Sequence, residues 1–252
     1  MSTRRFLSLL LLCPAVLLAG LLPTGALAAE GKVRVLLTTG GHGFEAEPFY
    51  AVFDAMPDVE YTKAELPQDA GLLEPGLEKQ FDCLVMYDMV PQIAPDQQKA
   101  LVELLKTGIG VVSLHHNLGA HRDWDEFRKI IGGKFILADG VVDGQEFKKT
   151  PWSHDEVLRV TVVDRNHPVT RGVGDFEIHD ETYGKFYTAP GIHVLLTTDH
   201  PKNNPEIAWT TRYGKSRVLY LMLGHDGKAY GNPSFRKLVH QGIRWAAGSS
   251  KQ

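Results

Sequence analysis

Two regimes of hydrophobic patterning divide the chain. In the first, short continuous apolar runs alternate with amphipathic stretches. Val33-Arg34-Val35-Leu36-Leu37 reads as a buried strand feeding the glycine-rich turn Thr38-Thr39-Gly40-Gly41-His42-Gly43. Pro48 opens a helix with Phe49, Val52 and Phe53 on one face, and Met56-Pro57 closes it. Val59 to Thr62 is a weaker strand, and Cys83-Leu84-Val85-Met86-Tyr87 is a third, buried one. Between Asp96 and Lys106, Ala100, Leu101, Leu104 and Leu105 recur at helical spacing. Gly110 to Leu114 is a fourth strand, ending at His115-His116-Asn117, and Asp123 can cap a helix from Trp124 to Ile131. Strands alternating with helices of this length predict a mostly parallel sheet covered on both faces.

The second regime holds strand candidates with turns between them. They are Val157 to Val163, Phe176 to Ile178, His193 to Thr198, Glu206 to Thr211 and Val218 to Leu223. A last helix starts at Asn232-Pro233 and turns Phe235, Leu238, Val239, Ile243 and Ala246 inward. The expected fold is α/β: a three-layer sandwich with a mostly parallel sheet and extra strands in the second half. With no repeat and no clear linker, residues 29–252 read as one domain. The segment 133–153, rich in Gly, Lys and Asp, suits a lid, a hairpin or a partner surface.

The N-terminus changes the picture. Arg4 and Arg5 precede an apolar run from Phe6 to Leu22, and Ala26-Leu27-Ala28 supplies a small-residue exit. These are the parts of a cleavable signal peptide over residues 1–28, so a secreted or periplasmic protein, free of the membrane after cleavage, is expected. With 27 basic against 30 acidic residues, a net charge of −3 and no basic stripe, neither nucleic acid nor an anionic membrane is an expected partner. Cys83 is the single cysteine beyond the signal, so no intrachain disulfide is expected, and its apolar neighbours point to a buried inert thiol.

Familiar catalytic signatures are missing. No Gly-x-Gly-x-x-Gly or Walker loop cradles phosphates, so no nucleotide cofactor is expected. There is no Gly-x-Ser-x-Gly elbow, and no His-Glu-x-x-His or Cys-x-x-Cys metal motif. The 11 histidines are the feature to explain. In open parallel sheets ligands bind beyond the carboxyl ends of the strands, which singles out His42, Asp88 and His115-His116. Asp180-Glu181 follows the strand candidate at Phe176, and His225 lies just past the last apolar strand. Adjacent side chains on an extended backbone point opposite ways, so only one of His115 and His116 is expected in the cleft.

Several motifs resemble one family. Val111-Val112-Ser113-Leu114-His115 is the first, and His167-Pro168-Val169-Thr170-Arg171-Gly172 leading to Asp180-Glu181-Thr182-Tyr183 the second. Ile207-Ala208-Trp209-Thr210 through Gly214 to Val218, Leu223-Gly224-His225 and the closing Ile243-Arg244-Trp245-Ala246-Ala247-Gly248 complete the set. In this order they resemble the ThuA-like (trehalose-utilisation) family, from about Val33 to Gly248. The resemblance implies a fold like flavodoxins and class I glutamine amidotransferases. It implies no glutaminase, because the turn that carries the amidotransferase cysteine holds His115 and His116 here.

What the resemblance implies about activity is sugar processing, with members tied to disaccharides oxidised at the glucose 3-position. A 3-keto-glycoside would be cleaved by proton abstraction at C2, which calls for a base, an acid and positive charge near the enolate oxygen. On that reading His42, His115, Asp180 and His225 are expected around a divalent metal, zinc or manganese. Glu181 is the expected proton-transfer group with His116 in reserve; Asp88 and Trp209 are the candidate sugar contacts, with core or edge packing the competing role for Trp209 and Trp124. His167 reads as structural, and the histidines at 121, 154, 179, 193, 200 and 240 receive no role. The alternatives are a non-catalytic sugar-binding module and a metal-dependent hydrolase of another small exported substrate.

Overall fold

The computed structural model describes residues 31–248, so the signal peptide expected over residues 1–28 lies outside the described residues. The first half alternates as β1 (Val33–Thr39), α1 (Ala46–Asp54), β2 (Val59–Glu65), β3 (Cys83–Met86), α2 (Pro95–Leu105), β4 (Gly110–Leu114) and α3 (Asp125–Ile131). Three short strands follow: β5 (Gly133–Lys134), β6 (Gly140–Val142) and β7 (Gln145–Phe147). The long β8 (Trp152–Val162) and β9 (Phe176–Tyr183) precede β10 (Tyr187–Thr188), β11 (His193–Thr198), β12 (Glu206–Tyr213) and β13 (Ser216–Leu221). Helices α4 (Gly227–Tyr230) and α5 (Pro233–Ala246) close the chain.

Nine strands form one sheet in the order β2-β1-β3-β4-β13-β12-β11-β8-β9. The pairs from β2 to β13 are parallel, and those from β13 to β9 are antiparallel. This is the α/β sheet with antiparallel strands added in the second half. β5 pairs with β10 and β6 with β7, so residues 140–147 of the segment 133–153 form a hairpin. Every residue of β3 and β4 is buried, as expected of strands covered on both faces by helices.

Capping and close packing fix the layers. Asn232 accepts hydrogen bonds from the Ser234 and Phe235 N–H groups and starts α5. Its buried face of Phe235, Leu238, Val239, Ile243 and Ala246 lies on the sheet. A Cβ at Gly110 would stand 2.4 Å from the Ala246 carbonyl carbon, so only glycine lets α5 meet β4 this closely. Asp123 makes no cap; α3 begins at Asp125 with Trp124 at its N-cap.

Two strand boundaries differ from the sequence expectation, and both matter. β8 begins at Trp152, and β9 continues through Asp180 and Glu181 to Tyr183. A charged pair normally marks the end of a buried strand, but here both carboxylates are buried because each has partners. Between Ser153 and Glu156 of β8 the register shifts, and His154 and Asp155 oppose the single residue Glu181. Asp155 has φ of 57°, so this is a β-bulge, a device that re-aims a side chain beside a site.

Gly110→Ala is expected to lower the unfolding free energy by about 1–3 kcal/mol or more, since rigid backbone must move on both sides of the contact. Chemical denaturation followed by circular dichroism checks this.

Candidate functional site

The site starts from a bend. At the end of β4 His115 takes φ of 46°, a left-handed conformation that non-glycine residues rarely adopt. A 3-10 turn, His115–Gly119, follows. Two bonds hold the bend: the Tyr220 hydroxyl donates to the His115 carbonyl at 2.9 Å, and His115 Nδ1 meets the Met222 carbonyl at 2.6 Å. A carbonyl only accepts, so Nδ1 carries the proton and Nε2 is left with its lone pair. The Tyr183 hydroxyl lies 2.9 Å from that Nε2.

Three donor atoms converge there. His115 Nε2 is 3.1 Å from Glu181 Oε2 and 3.2 Å from His225 Nδ1, and those two are 3.2 Å apart. Lone-pair atoms at this spacing repel unless a cation lies among them, either a shared proton or a metal ion. Cis ligands on bonds of about 2.1 Å lie about 3.0 Å apart at right angles and about 3.4 Å apart at the tetrahedral angle. The triangle fits between these values, and two imidazoles with one carboxylate suit zinc, manganese or iron. Among the described residues no other group of three such side chains converges in this way.

The electrostatics agree with a cation-seeking cluster. Burial opposes ionisation of Glu181, yet the contacts from His115 and His225 outweigh it and hold its carboxyl well below the usual range. Burial opposes charge on His225 too, but the Glu181 carboxylate raises its pKa overall. His116 is different: burial, with His115 and His42 nearby, pushes its pKa well down. Its Nε2 donates to the Tyr87 carbonyl at 2.8 Å, so the lone pair is on Nδ1.

Above the triad lies a cleft of about 560 Å³, lined by His42, His116, Trp152, His154, Glu181, Tyr183 and His225 among others. Of the adjacent pair only His116 lines the cleft, as expected; His115 is wholly buried and reaches the site from beneath, through its Nε2 in the triad. His42 is not with the triad. It sits exposed at the mouth, its ring 4.6 Å from that of His116 and its Nδ1 donating to the Gly43 carbonyl at 2.7 Å.

Four further positions singled out in the sequence fall as follows. Both oxygens of Asp180 are consumed by backbone: Oδ1 accepts from the Glu181 and His225 N–H groups at 2.9 and 3.0 Å, and Oδ2 from Gly224 at 2.8 Å. Asp180 therefore positions the ligand-bearing segments and is not among the three side chains whose ligand atoms converge. Trp209 is wholly buried, with its indole N–H donated to the Ile131 carbonyl at 2.8 Å, so it presents no face to a sugar. Trp124 packs against the core. Asp88 lies behind the 3-10 turn, buried beside His121, and does not line the cleft.

Two cleft residues escaped the sequence reading. His154 Nδ1 lies 3.4 Å from Glu181 Oε1, and the His154 ring is 4.5 Å from that of His225. Trp152 is 53% exposed and packs its edge 4.8 Å from the His154 ring. The bulge that presents them leaves no period-two signature, although Trp152-Ser153-His154 after Pro151 was a visible cluster of ligand-type side chains.

The molecule is thus an α/β protein with a histidine and carboxylate cleft at the carboxyl end of its parallel strands. The family profile ThuA, described as trehalose utilisation, matches residues 34–246, and the chain belongs to that family. No curated protein matches it. Among solved structures it is similar to a ThuA-like protein from Parabacteroides merdae, with 21% identity, TM-score 0.70, and 88% of this chain and 92% of that one covered. A ThuA-like protein from Bacteroides uniformis gives 19%, 0.68, 88% and 94%. A β-galactosidase from Bacillus circulans sp. alkalophilus shares the fold over 32% of its own length and 88% of this chain, at 11% identity and TM-score 0.56.

The pair behind the turn yields a prediction. Asp88 Oδ2 and both ring nitrogens of His121 are buried without a hydrogen-bond partner, while Asp88 Oδ1 accepts from the Thr38 hydroxyl at 2.7 Å. Burial pushes the Asp88 pKa up to about 6 and that of His121 down to about 4. Between pH 4 and pH 6 the folded Asp88 keeps a proton that the unfolded chain has released. Stability from this group therefore falls as pH rises, costing about 3 kcal/mol above pH 6. Asp88→Asn should raise the melting temperature at pH 8 by several degrees, with the gain gone by pH 4; thermal scans across pH check it.

Proposed function

We propose that the protein is an exported carbohydrate-processing enzyme that cleaves 3-keto-glycosides, with His115, Glu181 and His225 holding a divalent ion, zinc or manganese. The observation that carries this reading is the triangle of three donor atoms, 3.1–3.2 Å apart, at the floor of a cleft with an exposed indole on its wall. The family's description supplies the carbohydrate, and the pattern of residues 1–28 supplies export.

A ketone at C3 makes the C2 proton acidic. His116 is suited to remove it: the imidazole stays neutral through burial, and its Nε2 is anchored to the Tyr87 carbonyl so that Nδ1 is the basic atom. The electron pair left at C2 forms the enolate, then a C1=C2 double bond as the C1–O bond breaks. The departing oxygen takes a proton, and His154, half-exposed on the other wall and set against Glu181, is the group placed to supply it. A bound divalent ion supplies positive charge for the enolate oxygen. Glu181, expected as the proton carrier, is instead committed to the donor set, and the Met222 carbonyl with the stacked Tyr183 ring fixes the orientation of His115.

Protein purified without a histidine tag should release methanol from methyl 3-keto-α-glucoside and leave methyl α-glucoside untouched. Removing the metal with a chelator, or making His115→Ala or Glu181→Gln, should lower kcat/KM by at least about 100-fold, with zinc or manganese restoring only the chelated wild type. Equal cleavage of oxidised and unoxidised glycosides would indicate a hydrolase of another kind. Binding of sugars without any turnover would indicate a binding module.

A further inference from the structure

The half-exposed indole of Trp152 borders two hollows. On one side is the cleft over the triad; on the other is a second hollow of about 650 Å³. Its walls are Pro151, Trp152 and Pro201, with Lys185 and Lys202 at hand and Gly184 beneath. A chain that buries Trp209 completely leaves Trp152 more than half exposed, and an indole held open beside a cleft is a binding surface more than a packing element.

The second hollow is built on the same framework as the triad. Trp152 pairs with Tyr183 in the β8–β9 ladder, two residues along from Glu181. The far wall is tied to that strand as well: the Tyr183 N–H donates to Asn203 Oδ1 at 2.7 Å, and the Asn204 N–H to the Tyr183 carbonyl at 2.9 Å. A Cβ at Gly184 would lie 2.7 Å from the Lys202 carbonyl oxygen and 3.3 Å from Pro151 Cγ, so glycine is what lets these walls approach. Lys202 is engaged with Glu156 and Ser153. Lys185, which no such contact occupies among the described residues, is the free donor of the hollow.

We propose that this second hollow is a subsite for the second ring of a two-ring glycoside, the part that leaves when the C1–O bond breaks. Proline and indole surfaces suit the apolar C–H face of a pyranose, and a lysine suits the hydroxyl edge. One molecule then spans both hollows across Trp152, with the oxidised ring over the triad. This rests on the carbohydrate reading above and adds where the leaving group sits.

Calorimetry on the zinc-loaded full protein tests it with two unreactive probes, methyl α-glucoside with one ring and trehalose with two. The wild type should bind trehalose at least about tenfold more tightly. Trp152→Ala should bring the two affinities together, and Trp152→Phe should retain the preference. Lys185→Ala should weaken trehalose about threefold or more and leave methyl α-glucoside unchanged. Equal affinities in the wild type, or a preference that survives both Trp152→Ala and Lys185→Ala, would overturn the subsite. If methyl 3-keto-α-glucoside is turned over in that case, the functional reading stands without the subsite. If no glycoside, oxidised or not, is bound or turned over, both fall together.

Discussion

One buried carboxylate ties the edge strand β9 to the turn beyond β13 at the site. Asp180 accepts three backbone N–H groups, from its neighbour Glu181 on β9 and from Gly224 and His225 beyond β13. In the sheet order β9 is the edge strand, and β13 lies four strands further in. This clamp joins the strand that carries Glu181 directly to the turn that carries His225, and so sets two corners of the three-atom triangle with His115. Burial raises the Asp180 pKa, partly offset by His115 and by these N–H bonds, so the clamp is itself held in a demanding environment.

The clamp also explains how neighbouring carboxylates come to different uses. Asp180 and Glu181 are adjacent on β9, and each reaches a different part of the segment around His225. One meets backbone amides. The other meets two imidazoles on Oε2 and a third, His154, near Oε1. The strained bend at His115, the bulge opposite Glu181 and the closed turn at Gly224 are three departures from regular geometry gathered at one place. Strain of this kind concentrates where a structure holds side chains for binding or chemistry. The proposed ion and the proposed proton transfers both depend on that concentration.

Much of this was legible in the sequence, for a definite reason. Apolar runs that end abruptly in histidine, as at Leu114-His115 and Leu223-Gly224-His225, mark the carboxyl ends of buried parallel strands, and the fold brings those ends together. The roles within the pair Asp180-Glu181 were not legible, because they depend on which face of β9 meets the turn after β13. Trp209 and Trp152 show the same limit. Trp209 sits in a continuous apolar run and is packed on both faces, whereas Trp152 stands at the start of a strand interrupted by a bulge. Long-range pairing and a two-residue irregularity decide between them, and neither has a local signature.

The most direct measurement is anomalous diffraction at the metal edge from crystals of the untagged protein grown with zinc or manganese. One strong peak is expected within about 2.3 Å of His115 Nε2, His225 Nδ1 and Glu181 Oε2, with Asp180 still bonded to the backbone. Fully occupied density elsewhere, or an intact triangle that binds no ion at saturating metal, would contradict the proposed ion site.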